Sequence, residues 1–158
     1  MEQSSMLVII DDPRFDLHET TGILPETPVR TSSIRHSLLN EFGPNGTTPI
    51  IWYNPQPVSR EILENVHSKQ YVSSLLNKCG KATAKNLIID GDSELPITPG
   101  TGWAILHAAG TGIQAADLIF DSESQIQRVF CNVRPPGHHA FKGKGMRMYN
   151  QGAASIRQ

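Results

Sequence analysis

Along this chain the first clear pattern is a short apolar run, Met6 to Ile10, closed by Asp11-Asp12-Pro13. A run of that length ended by a turn signal predicts a buried strand. From Asp16 to Arg30 there is no clean period, and Pro25 and Pro28 interrupt it, which predicts an irregular loop leading into a helix over Thr31 to Glu41. Gly43-Pro44-Asn45-Gly46 breaks the chain, and the β-branched and aromatic residues of Pro49 to Tyr53 predict a second extended piece before Pro55 and Pro57. Ser59 is a candidate N-cap for a helix running to Val66, with Glu61 and Glu64 favouring its start. A further helix is expected from Lys69 to Lys78, where Tyr71, Val72, Leu75 and Leu76 follow helical spacing and Gly80 can close the end. Asn86 to Ile89 is a short strand candidate.

The longest periodic stretch follows Thr98-Pro99-Gly100-Thr101. Trp103, Ile105, Ala108, Ala109, Ile113, Ala116 and Ile119 predict a helix packed through small residues, with Gly110 and Gly112 permitting close approach of a neighbour. Arg128 to Val133 returns as a strand. Strands interleaved with helices predict an α/β fold with a parallel sheet, and no repeat, heptad pattern or linker divides residues 1–158, so a single domain is expected.

Composition narrows the function classes. With 158 residues, 38% of them hydrophobic, the chain is large enough for one globular core. Fourteen basic against fifteen acidic residues give a net charge of -1, too little one-signed field to hold nucleic acid by counterion release. Cys79 and Cys131 have no C-x-x-C spacing, which argues against a disulfide scaffold or a thiolate zinc knuckle. Met1 to Met6 lacks the features of a secretory signal, and no apolar run nears the ~20 residues needed to span a bilayer. A soluble intracellular protein of the cytoplasm or nucleus, with neither a membrane nor a nucleic-acid partner, is the expectation.

Candidate chemistry gathers after the last predicted strand. Ligands in open α/β sheets bind outside the carboxyl ends of strands, and His138-His139 falls there behind Pro135-Pro136-Gly137. By themselves, two adjacent imidazoles can be metal ligands, a general base with an electrostatic partner, or exposed loop residues. The full heptapeptide Arg134-Pro135-Pro136-Gly137-His138-His139-Ala140 resembles the signature of the histone deacetylase family, particularly its class II and acetylpolyamine amidohydrolase branches. Upstream segments agree in order: Phe15 to Gly22, Pro25 to Arg30, Val66-His67-Ser68-Lys69-Gln70-Tyr71-Val72, and Asp92 with Thr98-Pro99-Gly100 and Ala108-Ala109-Gly110. Where the family usually has His-Pro-Glu, this chain has Leu24-Pro25-Glu26. Gly145 to Asn150 and Ala153 resemble the family's Gly-Phe-Cys-x-x-Asn-x-x-Ala stretch, with Met146 in the phenylalanine position and Arg147 in that of the cysteine.

The resemblance implies the N-terminal part of an arginase/deacetylase-like parallel sheet with helices on both faces, and a zinc-dependent hydrolase of acetyl-lysine or acetylpolyamine amides. His139 would act as general base and His138 as its electrostatic partner, while Asp92, Gly145 and Met146 would contact substrate. The family holds zinc through an Asp-x-His pair and a later aspartate, and uses a later tyrosine; no residues before Gln158 match these, so no zinc is expected on this chain, which should be inactive alone. The alternative is a non-catalytic truncated homologue serving as a binding or regulatory partner. A sheet cut after its active-site strand would expose an unpaired edge, so self-association is expected. His18 and His67 are expected to make structural hydrogen bonds, His36 and His107 are assigned no role, and Tyr149 is expected to pack beside the tunnel.

Overall fold

In the computed structural model, residues 6–20, 26–43, 50–83, 88–89 and 96–137 are described. Met6–Asp11 forms β1, and the three residues Val8, Ile9 and Ile10 are fully buried, as expected of a strand covered on both faces. β1 lies between β2 (Ile50–Tyr53) and β5 (Ile126–Asn132), and both pairings are parallel. The expected parallel α/β sheet is therefore present, with strand order β2-β1-β5.

Helices cover both faces. The register sets Asp11 beside Asn132, and this face meets α1 (Pro28–Phe42), whose Thr31 carbonyl accepts from Asn132 Nδ2 at 3.0 Å. The opposite face carries α4 (Thr101–Phe120), where Ala104 and Ala108 pack with Phe15 and Val133. A larger apolar core joins α4 to α2 (Arg60–Val66) and α3 (Lys69–Lys81), through Leu63, Val72, Leu75, Ile105, Ala109 and Ile113. Gly110 belongs to this contact: a Cβ there would overlap the Gln56 carbonyl and the Val58 amide. The close approach lets Val58 N donate to the Leu106 carbonyl at 3.0 Å, so the glycine acts through space rather than as a helix breaker.

Several boundaries differ from expectation for local reasons. The stretch read as irregular contains a 3-10 turn, Pro13–Leu17, whose N-cap Asp12 accepts from Arg14 N at 2.8 Å. α1 begins at Pro28, three residues before the expected start, because proline at the first helical position needs no donor and already has a helical φ. α3 continues through Gly80 to Lys81, since an interior glycine costs only about 1 kcal/mol and the amphipathic face is still buried at Cys79. Strand β5 spans Ile126–Asn132 in place of Arg128 to Val133. A small antiparallel pair, β3 (Ile88–Ile89) with β4 (Pro96–Ile97), extends the predicted piece at Asn86 to Ile89 into a two-stranded ladder.

Candidate functional site

Because β1, β2 and β5 run parallel, their carboxyl ends lie together, and β5 delivers Arg134, Pro135, Pro136 and Gly137 just beyond that edge. The end of the sheet is polar although buried. Asp11 and Asn132, the last residues of their strands, are joined by a 3.0 Å hydrogen bond from Asn132 Nδ2. Arg35 of α1 donates to Asp11 Oδ2 at 2.5 Å and to Asp16 Oδ2 at 2.8 Å, while Thr31 Oγ1 donates to Asp16 Oδ1 at 2.9 Å. These bonds fasten the Pro13–Leu17 turn and α1 to the same end of the sheet.

The next layer is built on Arg134, only 2% exposed. Its Nε and Nη2 donate to the two Glu26 carboxylate oxygens at 2.8 and 2.9 Å, the bidentate fork that a guanidinium makes best. Nη1 donates to the carbonyls of Phe15 at 3.1 Å and His18 at 2.5 Å. Thr20 Oγ1 in turn donates to the Glu26 carbonyl. One guanidinium thus ties the β5 exit to the turn after β1 and to Glu26, two residues before α1.

His18 is fully buried beside this cluster. Its Nδ1 lies 2.8 Å from Thr101 Oγ1, which already accepts from the Thr98 amide at 2.8 Å, and Thr98 Oγ1 donates to the Leu17 carbonyl at 3.1 Å. Among the described residues its Nε2 has no hydrogen-bond partner, and it stands 3.8 Å from Glu26 Oε2. A tautomer with hydrogen on Nε2 suits this arrangement, since Thr101 can then donate to Nδ1 while the N–H dipole faces the carboxylate. Burial, with the Arg134 charge nearby, pushes the His18 pKa down to about 4, so the ring is neutral near pH 7. The expected structural hydrogen bond of His18 is the one to Thr101. Gly100 makes the approach possible, as a Cβ there would collide with the Leu17 backbone.

On the outer side, Arg14 stands 4.4 Å over the Trp103 ring, and Trp103 stacks on His107 with centroids 3.9 Å apart. The Arg14 hydrogen bonds hold the Asp12 carboxyl below its ordinary pKa. His107 Nδ1 contacts the Trp103 carbonyl at 2.8 Å, a structural bond within α4. His36, left without a role, lies exposed on α1. Burial pushes the Cys131 thiol up to about 11, which removes it as a nucleophile near neutral pH. A groove of about 140 Å³ between α1 and β5 is lined by Arg30, Ile34, Phe130, Val133 and Pro136 among others.

His138, His139, Asp92, Gly145 and Met146, together with Arg147 and Tyr149, lie outside the described residues. Sequence reasoning gave no role to Arg134 or Glu26, although one signal was available: an arginine directly after an apolar strand needs a buried partner. Among the described residues no three His, Cys, Asp or Glu side chains stand close enough to hold a metal. Asp16 and His18 have Asp-x-His spacing, yet the carboxylate goes to Arg35 and Thr31 while the ring goes to Thr101. They do not fit a zinc site. Nor is any helix among the described residues long and apolar enough to cross a membrane.

Comparison with known proteins agrees with this architecture. The sequence model of the histone deacetylase domain matches residues 24–158. An uncharacterised protein of Synechocystis sp. is 29% identical over 144 residues, covering 89% of this chain and 44% of the relative. A probable deacetylase of Archaeoglobus fulgidus is 31% identical over 137 residues, covering 84% of this chain and 36% of the relative. Chloroplastic histone deacetylase 14 of Arabidopsis thaliana is 33% identical over 123 residues, 73% of this chain and 29% of its own length. The chain therefore spans less than half the length of these relatives. The crystal structure of the HDA15 HD domain superimposes with a TM-score of 0.78 at 23% identity, over 96% of this chain and 42% of that one, which shows a shared fold. With a family match over most of its length and the signature arginine anchored at the carboxyl end of a parallel sheet, the chain belongs to the histone deacetylase family.

Proposed function

We propose that this chain supplies the signature-bearing part of a deacetylase domain that hydrolyses acetyl-amine amides, with acetyl-lysine in a protein or peptide, or an acetylpolyamine, as substrate. The observation that carries the reading is the delivery of the Arg134 to Gly137 turn to the carboxyl end of the β2-β1-β5 sheet, where open α/β sheets bind ligands. In this reading His139 accepts the proton of the attacking water and returns it to the leaving amine, and His138 stabilises the charge that develops. Asp92 accepts a hydrogen bond from the substrate at the rim, and Gly145 and Met146 border the acyl group. An aromatic ring would give a flatter wall than the Met146 thioether, so a broader fit to the acyl group follows. In the same reading the protein acts inside the cell, in cytoplasm or nucleus.

Zinc belongs to the family's chemistry, but the described residues offer no ligand set for it. We propose that the metal of the working enzyme is held by residues other than these, and that the 158 residues alone do not turn over substrate. A non-catalytic binding role for the chain by itself is the second reading, favoured by the separate engagements of Asp16 and His18. The test is release of acetate from an acetyl-lysine peptide and an acetylpolyamine, with metal analysis alongside. A protein extended to the length of the relatives should be active, and His139→Ala should slow it by about 10²–10⁴. Indifference of the rate to His139→Ala would remove the base assignment, and stoichiometric zinc with turnover on the 158-residue chain would remove the second part.

A further inference from the structure

The Pro13–Leu17 turn and the His18 that ends it are held on three sides, mostly by polar contacts. Toward α1, Asp16 accepts from Arg35 and Thr31; toward the β5 exit, the Phe15 and His18 carbonyls accept from Arg134. Toward α4, the Leu17 carbonyl accepts from Thr98 Oγ1 and the His18 ring meets Thr101 Oγ1. The apolar share is small. Phe15 packs with Ala104, Ala108, Trp103 and Val133, in a cluster apart from the larger core of α2, α3 and α4. A segment with few buried apolar contacts of its own can open separately, at less cost than the whole fold.

Within this segment His18 is the group whose bonds depend on its charge. As a neutral ring it accepts from Thr101 at Nδ1; protonated, it carries hydrogen on both nitrogens and Nδ1 can no longer accept. The charged groups facing the ring are Glu26, ahead of α1, and Arg134, after β5, while α4 presents the neutral Thr101. Both Glu26 oxygens are already engaged by the Arg134 fork, so a second buried cation 3.8 Å from Oε2 would have to share that carboxylate. In the open segment the ring meets water and takes a proton at about pH 6.5, whereas in the closed one it does so only near about 4. Because the closed-state pKa is the lower, the closed form keeps its full advantage above pH 6.5. That advantage declines as pH falls and levels off below 4.

We propose that the Pro13–Leu17 turn with His18 is an acid-released strap: proton uptake by His18 frees it from α4 and from Arg134, and admits water to the Arg134–Glu26 clamp while the core of α2, α3 and α4 stays folded. The inference makes no use of the deacetylase reading and stands or falls without it.

Native-state amide exchange of the 158-residue chain tests it. The amides of residues 15 and 18, bonded to the Asp12 and Phe15 carbonyls, should exchange through an opening more populated than that of the α3 amides at Leu75 and Cys79. That opening exposes little surface, so low denaturant should barely change it. Corrected for intrinsic exchange rates, it should rise about twentyfold from pH 7 to pH 5. His18→Gln should abolish the rise. His107→Gln should keep it, although that imidazole stacks on Trp103 beside Phe15 and is also lowered by burial. Thr101→Val, which removes the donor to Nδ1, should raise the opening of the turn at pH 7 without altering α3, and carries the test should His18→Gln fail to fold. Turn amides that exchange in step with α3 at every denaturant concentration would overturn the proposal. So would a rise that survives His18→Gln, one that is lost in His107→Gln, or a turn unaffected by Thr101→Val.

Discussion

Two buried regions of this chain are held by opposite means. Between α2, α3 and α4 the contacts are apolar, among Leu63, Val72, Leu75, Ile105 and Ile113, and the closest approach is secured by the missing side chain of Gly110. At the carboxyl end of the sheet the buried groups are Asp11, Asn132, Arg134 and His18, each with assigned polar partners. Dispersion and burial tolerate small rearrangements, since a neighbouring methyl can fill part of any gap. A bidentate ion pair tolerates almost none, because a carboxylate left alone in a dry site has no substitute partner. The apolar region supplies most of the driving force for folding, whereas the polar region dictates where the loops after β1 and β5 lie.

The sharpest way to break this comparison is Arg134→Ala. It leaves the Glu26 carboxylate without its cation and frees the Phe15 and His18 carbonyls at once. A loss of about 3–5 kcal/mol in denaturant unfolding is expected, comparable to emptying a core position. A loss under about 1 kcal/mol would place the pair among ordinary solvent-screened bridges.

The two regions also differ in how visible they were from sequence. Helical spacing from Trp103 to Ile119 and the apolar run at Met6 to Ile10 record burial directly, so α4 and β1 were readable, as was the parallel α/β arrangement they share. Starts and stops were less so: Pro28 reads as a breaker until it is seen as the first residue of α1, and a ladder two residues long such as β3 with β4 leaves no period at all. The polar cluster was readable only as a motif. Arg134 meets Glu26 across 108 positions and the His18 carbonyl across 116, and pairings at such separations are set by topology, not by local pattern. The histidine pair itself was legible through its heptapeptide, but lies outside the described residues.

A second, smaller effect comes from pH. The buried His18 ring has its pKa pushed down to about 4, against about 6.5 in an unfolded chain. Above pH 6.5 both states are neutral and its full contribution is present. As pH falls from 6.5 toward 4 the unfolded state takes the proton first, so stability declines by up to about 3 kcal/mol and then levels. His67 and His107 are also lowered by burial and bend the profile the same way. The decisive quantity is therefore the difference between the parent and His18→Gln, which should show a shallower slope between pH 4 and 6.5. Parallel slopes for the two proteins would mean that His18 is hydrated in the folded state.

The smallest effect belongs to an ion pair that resembles the Arg134 clamp on paper. Arg60 donates to Glu64 Oε1 at 2.6 Å, shorter than either Arg134–Glu26 bond, and its Nη2 also donates to Ser73 Oγ. Its side chain is 54% exposed, however, so water and salt compete for the guanidinium. Arg60→Ala should cost about 0.5 kcal/mol or less, as exposed pairs one helical turn apart usually do, and the cost should shrink further in 1 M salt. Measured beside Arg134→Ala under the same conditions, this variant separates distance from burial as the source of the clamp's importance. If the two losses were equal, the hydrogen-bond length alone would govern both sites, and the contrast between the wet surface and the dry end of the sheet would fall.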